Sequence, residues 1–115
     1  MENKFELVHV GVNTASPEEA LKLAELLSVM FNLTPRHGQK SEFAGNYFEC
    51  MKAPFLGTNG HIAMQTEDLE AAVEELKGKG FSFNMNTAAY TEAGKLKNVY
   101  LDGEFGGFAI HILQK

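Results

Sequence analysis

Apolar and polar positions alternate through the first segment, "FELVHVGVN": Val8, Val10 and Val12 fall on one side, and Leu7, His9 and Gly11 on the other. A period of two marks a strand with two different faces. The period then changes. In "TASPEEALKLAELLSVMFNL", Ala20, Leu23, Ala24, Leu27 and Met30 recur at helical spacing, which predicts a helix near 16–31 with one apolar face. Ser16 is a natural N-cap, Pro17 suits the first helical position, and Glu19 completes a capping box. After "TPRHGQ", read as a turn with His37 at the surface, short strand patterns follow: "SEFAG", a turn at Gly45-Asn46, and "YFECMK".

Beyond the Pro/Gly-containing link "KAPFLGTNG" the same order returns. "GHIAMQ" reads as a strand, with Ile62 and Met64 opposite His61, Ala63 and Gln65. "TEDLEAAVEELKGKG" predicts a helix near 66–78, with Thr66 as N-cap, a buried stripe of Leu69, Ala72, Val73 and Leu76, and Gly78 and Gly80 at its end. "FSFNM", "KNVYLD" and "GFAIHILQ" are three further strand patterns. The chain is therefore a pattern-level duplication of strand, helix and strands, with module 1 at about 1–53 and module 2 at about 58–115 of a single 1–115 domain. The fold class is α+β, with two βαβββ modules and curved mixed sheets.

If the aliphatic face of each first strand packs on its helix, His9 and His61 lie on the opposite, concave face. The last strand of each half behaves alike. Phe48 and Cys50 alternate with Glu49, and Ile110 and Ile112 alternate with His111. His9, Glu49, His61 and His111 thus occupy two pairs of equivalent positions on one face. Burying three imidazoles and a carboxylate together leaves polar groups that are hard to satisfy without a metal. Such a donor set suits one divalent transition metal, whether Zn, Ni, Co, Fe or Mn.

Composition narrows the class. The 115 residues are 44% hydrophobic and 22% charged, as expected of a globular domain. A net charge of -5 argues against nucleic acid or an anionic membrane as partner. No apolar run approaches the length of a membrane span. A lone cysteine and an N-terminus unlike a signal peptide fit a cytoplasmic protein.

The paired modules, with "HVGV" around His9, "FECM" around Glu49, "GHIAMQT" around His61 and "FGGFAIHILQ" around His111, resemble the vicinal oxygen chelate superfamily. That group includes glyoxalase I, bleomycin-resistance proteins and extradiol dioxygenases such as those of dihydroxybiphenyl. Position 111, most often Glu in the family, is His here. "FAG", "MKAPFLG", "GHIA" and "GGFAIHILQK" resemble more narrowly a small bacterial group of glyoxalase-like domains, found alone or fused to a 2-dehydro-3-deoxyphosphogluconate aldolase. An aldolase label on such a chain would be a transfer from the fused neighbour, since 115 residues of this pattern hold no βα-barrel.

The resemblance implies a lyase or isomerase that acts on a small oxygenated, sugar-acid-like metabolite through enediolate chemistry at the metal. Glu49, the one carboxylate of the set, is then the catalytic base. Asn98, Tyr100 and Arg36 are candidate substrate-binding residues. The alternative is a non-catalytic module that binds a metabolite or metal and regulates or sequesters. The resemblance also implies a homodimer. The 12 residues from Glu49 to His61 leave two arrangements open: modules paired within a chain, or exchanged between two chains.

Overall fold

In a computed structural model, which describes residues 2–115, the chain folds in the order β1 (Glu6–Asn13), α1 (Pro17–Phe31), β2 (Pro35–His37), β3 (Ser41–Ala44), β4 (Phe48–Met51), β5 (Gly60–Thr66), α2 (Leu69–Gly78), β6 (Phe83–Tyr90), β7 (Leu96–Leu101) and β8 (Phe108–Gln114). The eight strands form one curved mixed sheet in the order β2-β3-β4-β1-β5-β8-β7-β6. Each half contributes one parallel pair, β1 with β4 and β5 with β8. The halves join at the centre, where β1 runs antiparallel to β5 of the same chain. In this chain the two modules therefore close a single sheet on one another.

The helices cover the outer parts of one sheet face. α1 lays Ala20 and Ala24 on Ala44 and Cys50, all nearly or fully buried. Small side chains let this helix approach the strands closely. α2 packs Leu69 and Val73 against Val99, Leu101 and Ile112, which form the larger core. Between the two helices, Val8, Val10 and Val12 of β1 and Ile62 and Met64 of β5 remain only half-buried.

Four local readings are corrected. Met30, expected on the buried stripe, is 59% exposed, because the stripe runs through Ala20, Ala24 and Ser28. The N-cap of α2 is Asp68, whose side chain accepts the Ala71 N–H at 3.1 Å; Thr66 ends β5 and is buried. The stretch read as a turn at 34–39 contains β2, so His37 lies on an edge strand. The register between β1 and β5 shifts between Leu7 and His9. That bulge turns Leu7 to the side of its partner Met64, away from the face of His9.

Candidate metal centre

Residues directly opposite one another on neighbouring strands share a sheet face. Two such rows cross the concave face. The first runs Phe43, Glu49, Gly11, His61, Ala109, and the second runs His9, Ala63, His111, Tyr100, Asn84. The two central strands supply a very small residue to each row, and the imidazoles fill the room this leaves. A Cβ on Gly11 would stand 2.1 Å from His61 Cε1, so glycine is what admits the His61 ring. Ala63, between His9 and His111, is fully buried.

The four side chains predicted to share a face are brought together within one chain. His9 Nε2 and His61 Nε2 are 3.2 Å apart, and Glu49 Oε1 lies 3.2 Å from the former and 3.1 Å from the latter. His9, His61 and His111 each offer a nitrogen within 4.8 Å of the others, close enough to hold one metal ion. Ser41 Oγ donates to the other carboxylate oxygen, Glu49 Oε2, at 2.8 Å. The His111 Nδ1 faces Asn98 Oδ1 at 2.7 Å, and the Tyr100 ring stacks on the His111 ring at 4.4 Å and 8°. Phe55, from the loop after β4, sets its ring 6.3 Å from that of His61.

Electrostatics follow from this crowding. Hydrogen bonds from His61 and then His9 hold the Glu49 carboxyl far below the usual carboxylate range, against the opposing effect of burial, and Ser41 adds to them. Burial first, then the charges of His61 and His9, push His111 down to about 4, so its imidazole is neutral at pH 7 and available as a ligand. Burial also raises the Tyr100 phenol to about 12, with Glu49 adding to the effect.

The donor set fits a divalent transition metal by a test internal to the site. Among the described residues, His61 Nδ1 and His111 Nε2 are buried without a hydrogen-bond partner. Leaving such an atom unsatisfied costs roughly 1–3 kcal/mol. An ion among three imidazoles and a carboxylate would take up the His111 nitrogen and relieve the crowding of His9, His61 and Glu49.

The remaining candidates divide. Asn98 and Tyr100 lie against His111. Arg36 does not join the group: its guanidinium sits 3.9 Å over the Phe43 ring, and it lines a separate cavity of about 390 Å³ with Thr34, Asn46 and Tyr47. His37, read as a surface residue, is exposed and paired with the buried Glu42. Ser41 and Gly11 were not singled out from the sequence. Gly11 carried a signal, since it alternates with His9 and so shares its face; nothing in the sequence marked Ser41. Ala109 and Tyr100, neighbours of His61 and His111 in the rows, line a cavity of about 200 Å³ with Gly57, Asn84, Thr87 and Glu104.

No family model and no curated protein matches the sequence. Solved structures do match over nearly the whole chain. A hypothetical protein from Bacillus halodurans is 15% identical with a TM-score of 0.62, covering 97% of this chain and 95% of its own. A variant methylmalonyl-CoA epimerase from Streptomyces coelicolor, in complex with 2-nitronate-propionyl-CoA, is 13% identical with a TM-score of 0.58, covering 96% and 94%. The methylmalonyl-CoA epimerase from Mycobacterium tuberculosis is 18% identical with a TM-score of 0.57, covering 94% and 86%. At these identities the likeness is one of fold.

Proposed function

We propose that this chain is a glyoxalase-like metalloprotein that binds one divalent transition metal through His9, Glu49, His61 and His111 and catalyses proton transfer, as an isomerase or lyase, on a small oxygenated metabolite. The observation that supports it is the meeting of His9 Nε2, His61 Nε2 and Glu49 Oε1 within 3.1–3.2 Å of one another, with the His111 ring beside them. The epimerases that share the fold act, by their names, on a CoA ester, and epimerisation is a proton transfer next to a carbonyl.

Bound among these side chains, a divalent ion supplies Lewis acidity, which lowers the cost of negative charge on a substrate oxygen. The chain supplies the rest. Glu49 is the carboxylate positioned to take a proton from carbon, and Ser41 fixes its orientation through Oε2. Asn84 offers its side-chain amide to a ligand in the neighbouring cavity of about 200 Å³, while the Thr87 hydroxyl is held within the fold by the Asn84 carbonyl and the Tyr100 N–H. A space of that size suits a metabolite of a few carbons.

One observation favours a second reading. The hydrogen bonds that hold Glu49 far below the carboxylate range also make it a weak base. A group so well satisfied is a better ligand than proton acceptor, which suits a module that binds a metabolite without turning it over.

Deuterium exchange into a panel of α-hydroxy ketones, sugar acids and CoA esters, with metal-loaded protein, separates the two. Exchange that is abolished by a chelator and by Glu49→Gln, with metal still bound, supports catalysis. Tight binding of one compound without exchange supports the binding module.

We further propose a homodimer in a reducing cytoplasm. The half-buried aliphatic residues between the helices and the exposed Leu26, Val29, Met30 and Phe31 of α1 support association, and the buried, unpaired Cys50 suits that compartment.

A further inference from the structure

His111 is held differently from the other two imidazoles. His9 and His61 meet Glu49, whereas His111 has its own partners on β7, a strand that contributes none of the four gathered side chains. Its Nδ1 lies 2.7 Å from Asn98 Oδ1, an amide oxygen that can only accept. That bond places the proton on Nδ1 and leaves a lone pair on Nε2. Nε2 is buried, has no hydrogen-bond partner among the described residues, and belongs to a ring 5.4 Å from that of His61 and 6.0 Å from that of His9. The opposite tautomer would bury an N–H at Nε2 with no acceptor and face two lone pairs, Nδ1 and Asn98 Oδ1, against each other. Rotation of the ring is also opposed: Tyr100, opposite His111 in the strand register, stacks flat on it at 4.4 Å and 8°.

We propose that Asn98 and Tyr100 are positioning residues for His111, the amide fixing it as the Nδ1–H tautomer and the ring fixing its plane, so that Nε2 is presented to the metal. This rests on the metal-site reading above for its purpose, while the tautomer is a property of the protein with or without an ion. It also gives Asn98 and Tyr100 a task other than contact with substrate. A partner on the far nitrogen of a metal-bound histidine typically changes metal affinity by 10–100-fold.

The experiment is long-range ¹H–¹⁵N NMR of the histidine rings in metal-free protein, joined to competitive titration with Zn²⁺, for the wild type and for Asn98→Ala, Asn98→Asp and Tyr100→Leu. The wild type should show His111 as the Nδ1–H tautomer. Asn98→Ala should lose that tautomer and bind Zn²⁺ at least tenfold more weakly. Asn98→Asp, whose carboxylate still accepts from Nδ1–H, should restore both, which a merely structural asparagine would not allow. Tyr100→Leu should keep the tautomer and weaken Zn²⁺ binding several-fold. The spectra report whether each variant is folded, and a collapsed Asn98→Ala leaves the wild-type tautomer and Asn98→Asp to decide. His111 found as Nε2–H in the wild type, or Zn²⁺ affinity unchanged in Asn98→Ala, overturns the proposal. A wild type that shows the Nδ1–H tautomer but binds no Zn²⁺ overturns instead the metal-site reading, and with it the purpose assigned here.

Discussion

Gly11 and Ala63 determine where the imidazoles go. Any side chain at position 11 would compete with the His61 ring for the same space. Gly11→Ala should therefore keep the strand, whose backbone any residue can adopt, but displace His61. We expect Zn²⁺ affinity to fall more than tenfold with a moderate loss of melting temperature, measured by titration and thermal unfolding; unchanged affinity would contradict this. Glu49→Gln should also lower affinity more than tenfold, since it replaces the one anionic donor by an amide of the same shape. The phase of the strands made the common face of His9, Glu49, His61 and His111 legible from the sequence, because alternation by two assigns a face without any knowledge of distance. It could not reveal Ser41 or the partnership of Asn98 with His111, which depend on which strands become neighbours. Nor could it reveal what Arg36 packs on. Its place on β2 lets the Phe43 ring claim its guanidinium.

Elements were legible where periodicity was strong and less so where a side chain's local hydrogen bond set a boundary. Thr66 reads as the cap of α2, but β5 runs on through Thr66 and buries it, leaving Asp68 to cap. Asp68→Ala should destabilise the protein by about 1 kcal/mol in urea unfolding, and a negligible change would return the cap to another residue. The bulge between Leu7 and His9 was equally invisible, because an extra residue changes phase without changing composition. α2 also carries a pH dependence. Lys79, and then the backbone and side-chain amides of Asn3, hold the Glu75 carboxyl at about 2, below its ordinary 4.5. A depressed carboxylate stabilises the fold above its unfolded value and loses that contribution as pH falls. Melting temperature should therefore drop more steeply between about pH 4.5 and 2 in the wild type than in Glu75→Gln, and parallel curves would rule this ion pair out.

At the scale of the molecule, the antiparallel join of β1 to β5 matters most, because it turns two half-sites into one group of donors inside a single chain. The duplication was legible in the sequence, but whether its halves pair within or between chains was not, since a link of this length permits both. Sedimentation at micromolar concentration should show a dimer, and a monomer would leave the apolar patches of α1 and the central strands unexplained. The central claim, that one chain holds one divalent metal through four side chains, is tested most directly by the stoichiometry of Zn²⁺ binding to metal-free protein. The expected result is one ion per chain, with affinity lowered more than tenfold by Ala at each of His9, His61 and His111 and by Glu49→Gln. Saturation at one ion per two chains, or binding indifferent to all four substitutions, would contradict it.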